Sequence, residues 1–384
     1  MLRSQALVSV ALLCVPATLG AQARAGMPYD YSIPERTNDG WQVGNLTGAG
    51  MDLRLLAQLV AEIQGQAFSN LHSVLIVKDG RLVFEEYFSG EDEYRGQPLG
   101  TVQFDRTTLH DLRSVTKSVT SALVGIAVGQ GALKVSDPML SFFPDQLSLA
   151  TPDKRTITLH HLLTMTSGLE WDERTYPYTD PRNSETAMDL SESSVAYVLG
   201  QEVVAEPGTR FQYCGGCTML LAGVVNAATG THLDAFAEEH LFTPLGITEF
   251  EWLHHQDGLP IAASGLRLRP RDLAKFGYLF VNEGRWNGRQ VLPASWVRES
   301  TREQVRLDSI SAYGYQWWVD LEPLRAEVVA FPVARGNGGQ RIYVVPSLGL
   351  VAVITAGNYN SAATRFSEQA FWRFVLPAAA RVEN

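Results

Sequence analysis

Apolar and polar positions alternate at helical spacing through residues 52–67, after an irregular Gly-, Asn- and Pro-rich lead-in from Gly26 to Met51. Two apolar runs follow, His72-Ser-Val-Leu-Ile-Val-Lys-Asp-Gly80 and Arg81-Leu-Val-Phe-Glu-Glu-Tyr-Phe88. They meet at Asp79-Gly80, a pair that tolerates the positive φ angles of a two-residue turn, so the sequence predicts an antiparallel hairpin. From Asp111 to about Leu307 the spacing is helical, in Ser114–Gly129, Leu159–Ser167, Met219–Ala228, Leu233–Phe242 and Pro270–Asn282. Strand-type runs return at Tyr315–Val319, Gln340–Val345 and Leu350–Thr355, and a helical pattern from Phe366 through Ala380 closes the chain.

Strands at both ends with helices between them imply a sheet completed by segments distant in sequence. The expected architecture is an α/β sheet lobe plus an all-α lobe: an antiparallel sheet flanked by helices, with a large helical insertion. The sheet lobe is placed at residues 52–110 and 308–384 and the helical lobe at 111–307, forming one two-lobed unit over 26–384 with its site in the cleft between lobes.

Residues 1–25 differ from the rest. Arg3, the apolar run Ala6–Val15 and the small-residue stretch around Ala21-Gln-Ala23 and Ala23-Arg-Ala25 have the pattern of a secretory signal peptide, which predicts a periplasmic or secreted protein. Cys14 follows two leucines where a lipid-anchor motif wants a small residue, so no lipid anchor is expected there. No other stretch nears the roughly 18 apolar residues of a membrane span. Across 384 residues, 31 basic against 41 acidic side chains leave a net charge of −10, with no cationic surface to spare for nucleic acid. The expected partner is a small molecule.

Candidate chemistry begins at Ser114-Val-Thr-Lys117. Three residues apart at a helix start, the hydroxyl and amine share a face. A serine needs a base to act as a nucleophile, and a lysine can be one if burial and nearby positive charge depress its pKa. Tyr213 follows Pro207-Gly208-Thr-Arg-Phe211-Gln on a loop entering a helix, where a phenol can relay a proton. Gly336-Asn-Gly-Gly-Gln340 leads into a strand, and backbone N–H groups there can hold an oxyanion. Tyr176 and Tyr178, with Asp180 and Asn183, fall in a loop suited to a substrate entrance. Cys214 and Cys217 could close a short disulfide in an oxidising compartment. The adjacent pairs His160-His161 and His254-His255 lack metal-ligand spacing, no Gly-x-Ser-x-Gly occurs, and neither a metal nor an organic cofactor is called for.

With these motifs, and with Ile157–Trp171 and Ala263-Ser-Gly-Leu-Arg267, the chain resembles the serine β-lactamase and penicillin-recognising hydrolases over roughly residues 70–360. The likeness is to the class C-related branch that includes carboxylesterases and 6-aminohexanoate-dimer hydrolase. It implies the serine β-lactamase/penicillin-binding-protein-like fold and acyl transfer through Ser114, with proton work by Lys117 and Tyr213. It also implies an oxyanion hole from the N–H groups of Ser114 and Gly339, with Asn337 and Gln340 as substrate-binding candidates. Two departures stand out: Cys214-Gly215 replaces an Asn- or Ser-bearing second motif, and Gly336-Asn337 replaces the Lys or His and Thr of the third. Both remove grips on a β-lactam and leave the acyl-transfer core. The expectation is therefore an exported hydrolase of small esters or amides. The alternatives are a true β-lactamase or D-peptidase, and a non-catalytic binding or sensor protein of the same fold.

Overall fold

The computed structural model describes residues 29–324 and 327–380. The signal-peptide segment and Cys14 lie outside the described residues. The central sheet contains β1 (Gln42–Val43), β2 (Leu71–Lys78), β3 (Arg81–Tyr87), β4 (Val305–Arg306), β5 (Ser311–Tyr313), β6 (Trp318–Leu324), β7 (Glu327–Gly336), β8 (Gln340–Val345) and β9 (Leu350–Ala356), in the order β1-β3-β2-β9-β8-β7-β6-β5-β4. The Asp79-Gly80 turn has φ values of 49° and 78°, the two positive angles that this dipeptide tolerates. β1 runs parallel to β3 and every other pairing is antiparallel, so the sheet is mixed by one two-residue strand taken from the lead-in.

Both faces of the sheet are covered, which is why its central strands are apolar at nearly every position. Val74, Ile76, Tyr343, Ala352 and Ile354 point to the side held by α1 (Leu53–Gln64) and the helical run Arg365–Ala380. The alternating Leu75, Val77, Ile342, Val344, Val351 and Val353 point the other way, toward α2 (Val115–Gly129). Asp52 caps α1 by accepting the Arg54 N–H, and Leu56, Leu59, Val60 and Ile63 form its buried stripe.

The remaining elements used below are α3 (Ser184–Asp189), α4 (Gly215–Thr229), which packs beside α2, and α5 (Pro270–Val281). Helix α5 falls within the stretch assigned to the helical lobe but lies on the sheet. Its Gly277 is so close that a Cβ would stand 2.7 Å from Val351 and 2.8 Å from Ile342. Two strand expectations also shift. Residues 315–317 are irregular and β6 begins only at Trp318, while β7, interrupted by Pro332, has a pattern that masked it.

Candidate active site

Ser114 stands at the N-cap of α2, with φ −64° and ψ −7°, and Arg113 before it is held at φ +49°, a left-handed conformation costly for a bulky residue. Ion pairs from Arg113 to Glu93 (2.9 Å) and Asp111 (3.3 Å) fasten that turn, and its guanidinium stacks on Tyr359. One helical turn on, the Lys117 ammonium donates to Ser114 Oγ at 3.2 Å and to the Ala263 carbonyl at 3.1 Å. The Ala263–Arg267 segment braces this corner further, since Leu112 N–H donates to Leu266 O and Leu266 N–H to Thr116 Oγ1.

Tyr213 lies across from them, 9% exposed, with its ring stacked on Trp318 and 5.0 Å from Lys117 Nζ. Its position comes from the Ile157–Trp171 segment. Met165, at φ 59°, accepts Gln212 N–H on its carbonyl and Cys214 N–H on its sulfur. Gly168 presses on Ala205, whose carbonyl oxygen would be 2.1 Å from any Cβ there.

The electrostatics differ from the expectation. Burial lowers the affinity of Lys117 for its proton, but Tyr213, then Glu185 and Glu173, raise it more, so its pKa is shifted up rather than down. Burial raises Tyr213 as well, opposed by Lys117. At rest the pair is an ammonium beside a neutral phenol.

The other expected site residues are dispersed. Gly339 N–H donates to the Gly336 carbonyl at 3.3 Å, and Gly339 is not among the residues that border the two cavities beside Ser114. In its place Asn337, at the turn after β7, lines the space beside Ser114, while its side chain is bonded to Asn360. Gln340 is buried, and its amide is spent on the Ala356 backbone. Tyr178 borders both cavities that touch Ser114. Tyr176 lines a separate cavity, against the Arg182 guanidinium.

The disulfide expectation is not met: both thiols are free and buried. Cys214 is the N-cap of α4, where its sulfur accepts Cys217 N–H at 3.1 Å, and the Cys217 sulfur turns instead to Ser167 Oγ. Each histidine of the two pairs has a partner: His161 caps Thr158, His160 meets Tyr315, His254 meets Asp234 and His255 meets Asp257, while His254 and His255 also border the cavity beside Ser114.

One cavity beside Ser114, of about 330 Å³, is bordered by Arg95, Tyr178, Asp189, Ser264 and Asn337. Another, of about 250 Å³, is bordered by Arg174, Tyr213, Trp318 and Arg335. Arg335 is bound to Asp320, whereas Arg174 stacks over Tyr213 and Trp318 without an ion pair among the described residues. The sequence reading missed Arg174, Glu173 and Glu185. Their polar loop context carries no signal until burial and neighbours are known. Among the described residues no His/Cys/Asp/Glu group could hold a metal ion, and no helix is long and apolar enough to cross a membrane.

A serine hydroxyl bonded by a buried lysine, with a buried tyrosine beside it, is the grouping on which the resemblance to the serine β-lactamases rests. The family model described as Beta-lactamase matches residues 53–371, and the chain belongs to that family as one of its serine hydrolases. Among its relatives, the 6-aminohexanoate-dimer hydrolase of Paenarthrobacter ureafaciens is 23% identical over 287 residues, covering 69% of each chain. Esterase EstB of Burkholderia gladioli is 27% identical over 214 residues, covering 53% of each. The chain spans about half the length of several curated relatives it matches. In fold it is similar to the octameric penicillin-binding protein homologue from Pyrococcus abyssi, with a TM-score of 0.60, 17% identity, and 85% of this chain and 78% of that one covered.

Proposed function

We propose that this chain is an exported hydrolase of small esters or amides that works through an acyl-enzyme on Ser114. The observation that carries the reading is the 3.2 Å contact of Lys117 Nζ with Ser114 Oγ, with Tyr213 alongside. Ser114 Oγ attacks the carbonyl carbon, and its proton passes to the Lys117–Tyr213 pair once that pair has shed one of its own. The pair then protonates the departing alcohol or amine. Water repeats the sequence to free the acid and restore Ser114. The oxyanion is held by the N–H of Ser114 and, in place of Gly339, the N–H of Asn337, which borders the same cavity. The signal-type pattern of residues 1–25 supports export.

The relatives named for an amide and an ester substrate support either bond type. One observation favours a second reading, a β-lactamase or D-peptidase: Arg174 offers a cation where a substrate carboxylate would need one. Intact mass after a fluorophosphonate probe, with Ser114→Ala as control, tests the nucleophile, and an adduct that persists in the variant removes it. Comparing kcat/KM for p-nitrophenyl butyrate and nitrocefin then separates the readings. The ester should lead, and a clear preference for the cephalosporin establishes the second.

A further inference from the structure

Two largely buried acids lie near Tyr213 with no part in that proton path, and one of them, Glu185, borders the cavity beside Ser114. Glu173 Oε2 accepts from Trp171 Nε1 at 2.6 Å and from Gly215 N–H at 2.7 Å, and Glu173 Oε1 is 3.4 Å from the Tyr178 hydroxyl. Glu185, only 5% exposed, has its Oε2 buried with no donor among the described residues. The two Oε2 atoms crowd one side of Gly215: a Cβ there would stand 2.6 Å from that of Glu185 and 3.2 Å from that of Glu173. No side chain fits at 215 because these carboxyl groups fill its space.

Two carboxylates crowded together with little access to water repel, and one proton between them turns repulsion into a hydrogen bond. We propose that Glu173 and Glu185 hold one proton between them and act as a positioning pair that sets the protonation of Lys117 and Tyr213. Its catalytic consequence rests on the hydrolase reading above. Glu173 Oε2 already accepts two N–H donors and Glu185 Oε2 has none among the described residues, so a proton between the acids satisfies the one oxygen left without a partner.

Burial, then the Glu185 carboxylate, push Glu173 up to about 8, which keeps the proton in place at neutral pH. Facing the pair are Lys117 from α2, Tyr213 and Cys214 at the entry to α4, Tyr313 from β5, and Tyr178 and Asp189 from the segment that carries the acids. Arg95, Arg113 and His255 border the same cavity as Glu185, and Lys117 is the cation that acts on Glu173. Protonated, the pair presents one negative charge to the Lys117 ammonium; deprotonated, it presents two and holds the Lys117 and Tyr213 protons more tightly. Raising the pH through about 8 thus makes the base scarcer than its own titration would.

Infrared difference spectra of the wild-type protein in D2O test the shared proton without substrate. A protonated-carboxyl band should disappear with a midpoint near 8 and be missing from Glu185→Gln, whose amide can donate to Glu173 as the acid does. The kcat–pH profile for an ester tests the coupling. The wild-type rate should break to a lower slope near 8, while Glu185→Gln keeps rising. Lack of the band in wild type, or superimposable profiles, overturns the proposal. If no ester is turned over, the hydrolase reading fails and the band still decides the pair.

Discussion

A Cβ on Gly336 would stand 2.3 Å from the carbonyl oxygen of Leu112. The end of β7 therefore touches the backbone two residues before the nucleophile, closer than any other amino acid allows. Gly336→Ala should push the strand end and Asn337 away from Ser114. The expected cost is about 1–3 kcal/mol in stability, as for overpacking elsewhere. A kcat/KM loss of at least about tenfold should accompany it, the factor that 1.4 kcal/mol of transition-state stabilisation represents. Urea melts and ester kinetics on the purified variant check both, and an unchanged kcat/KM separates Gly336 from the site.

Lys117→Arg keeps a buried cation but removes a group able to release a proton in the working pH range. Tyr213→Phe keeps the ring stacked on Trp318 and removes only the hydroxyl. Each should lower kcat by about 10²–10⁴. Near-wild-type turnover in Lys117→Arg means that another group takes the Ser114 proton.

Cys214 and Cys217 should both alkylate after denaturation without reductant, and neither in the native protein, since both are buried and burial pushes the Cys214 thiol up. Peptide mapping of iodoacetamide-treated material reads this directly. An unreduced Cys214–Cys217 peptide two mass units short, as loss of two hydrogens requires, shows a bond instead.

Acid should destabilise the fold through His72 and His110. His72 stacks on Phe104, and burial lowers it from 6.5 to about 3, partly offset by its bond to the Glu91 carbonyl; burial, then His72, lowers His110 too. Both stay neutral when folded and bind protons when unfolded. Their contribution is intact above about 6.5 and declines as pH falls toward 3, by about 1.4 kcal/mol per unit for each histidine. Chemical melts across that range should show the slope, reduced by one histidine's share in His72→Gln. Parallel slopes would place the acid sensitivity elsewhere.

Local signals made part of this molecule legible. Asp79-Gly80 specified its turn through backbone geometry, and Ser114 and Lys117 through the spacing of a helix. β7 stayed hidden because Pro332 interrupts its pattern, and α5 was placed in the wrong layer because periodicity reveals an apolar face but not its partner. Which N–H of the turn after β7 faces Ser114 was not legible, because the five glycine and polar residues Gly336–Gln340 leave that register open. Lys117 shows a further limit. The sign of its shift depends on Tyr213, then Glu185 and Glu173, which are far from it in sequence and come near only in the folded chain.

The pairing of β2 with β9 joins residues 71–78 to residues 350–356 at the centre of the sheet. Closing so long a loop must precede any gain from that pairing, which makes folding slow and delays it until residues 350–356 have been made. A ribosome-bound chain lacking residues 350–356 has Ser114 and Lys117 in place along the polypeptide but no finished sheet to hold their helix. Hydrolytic competence would then arrive in a single late step, and a nascent chain would carry no half-built active site along the way.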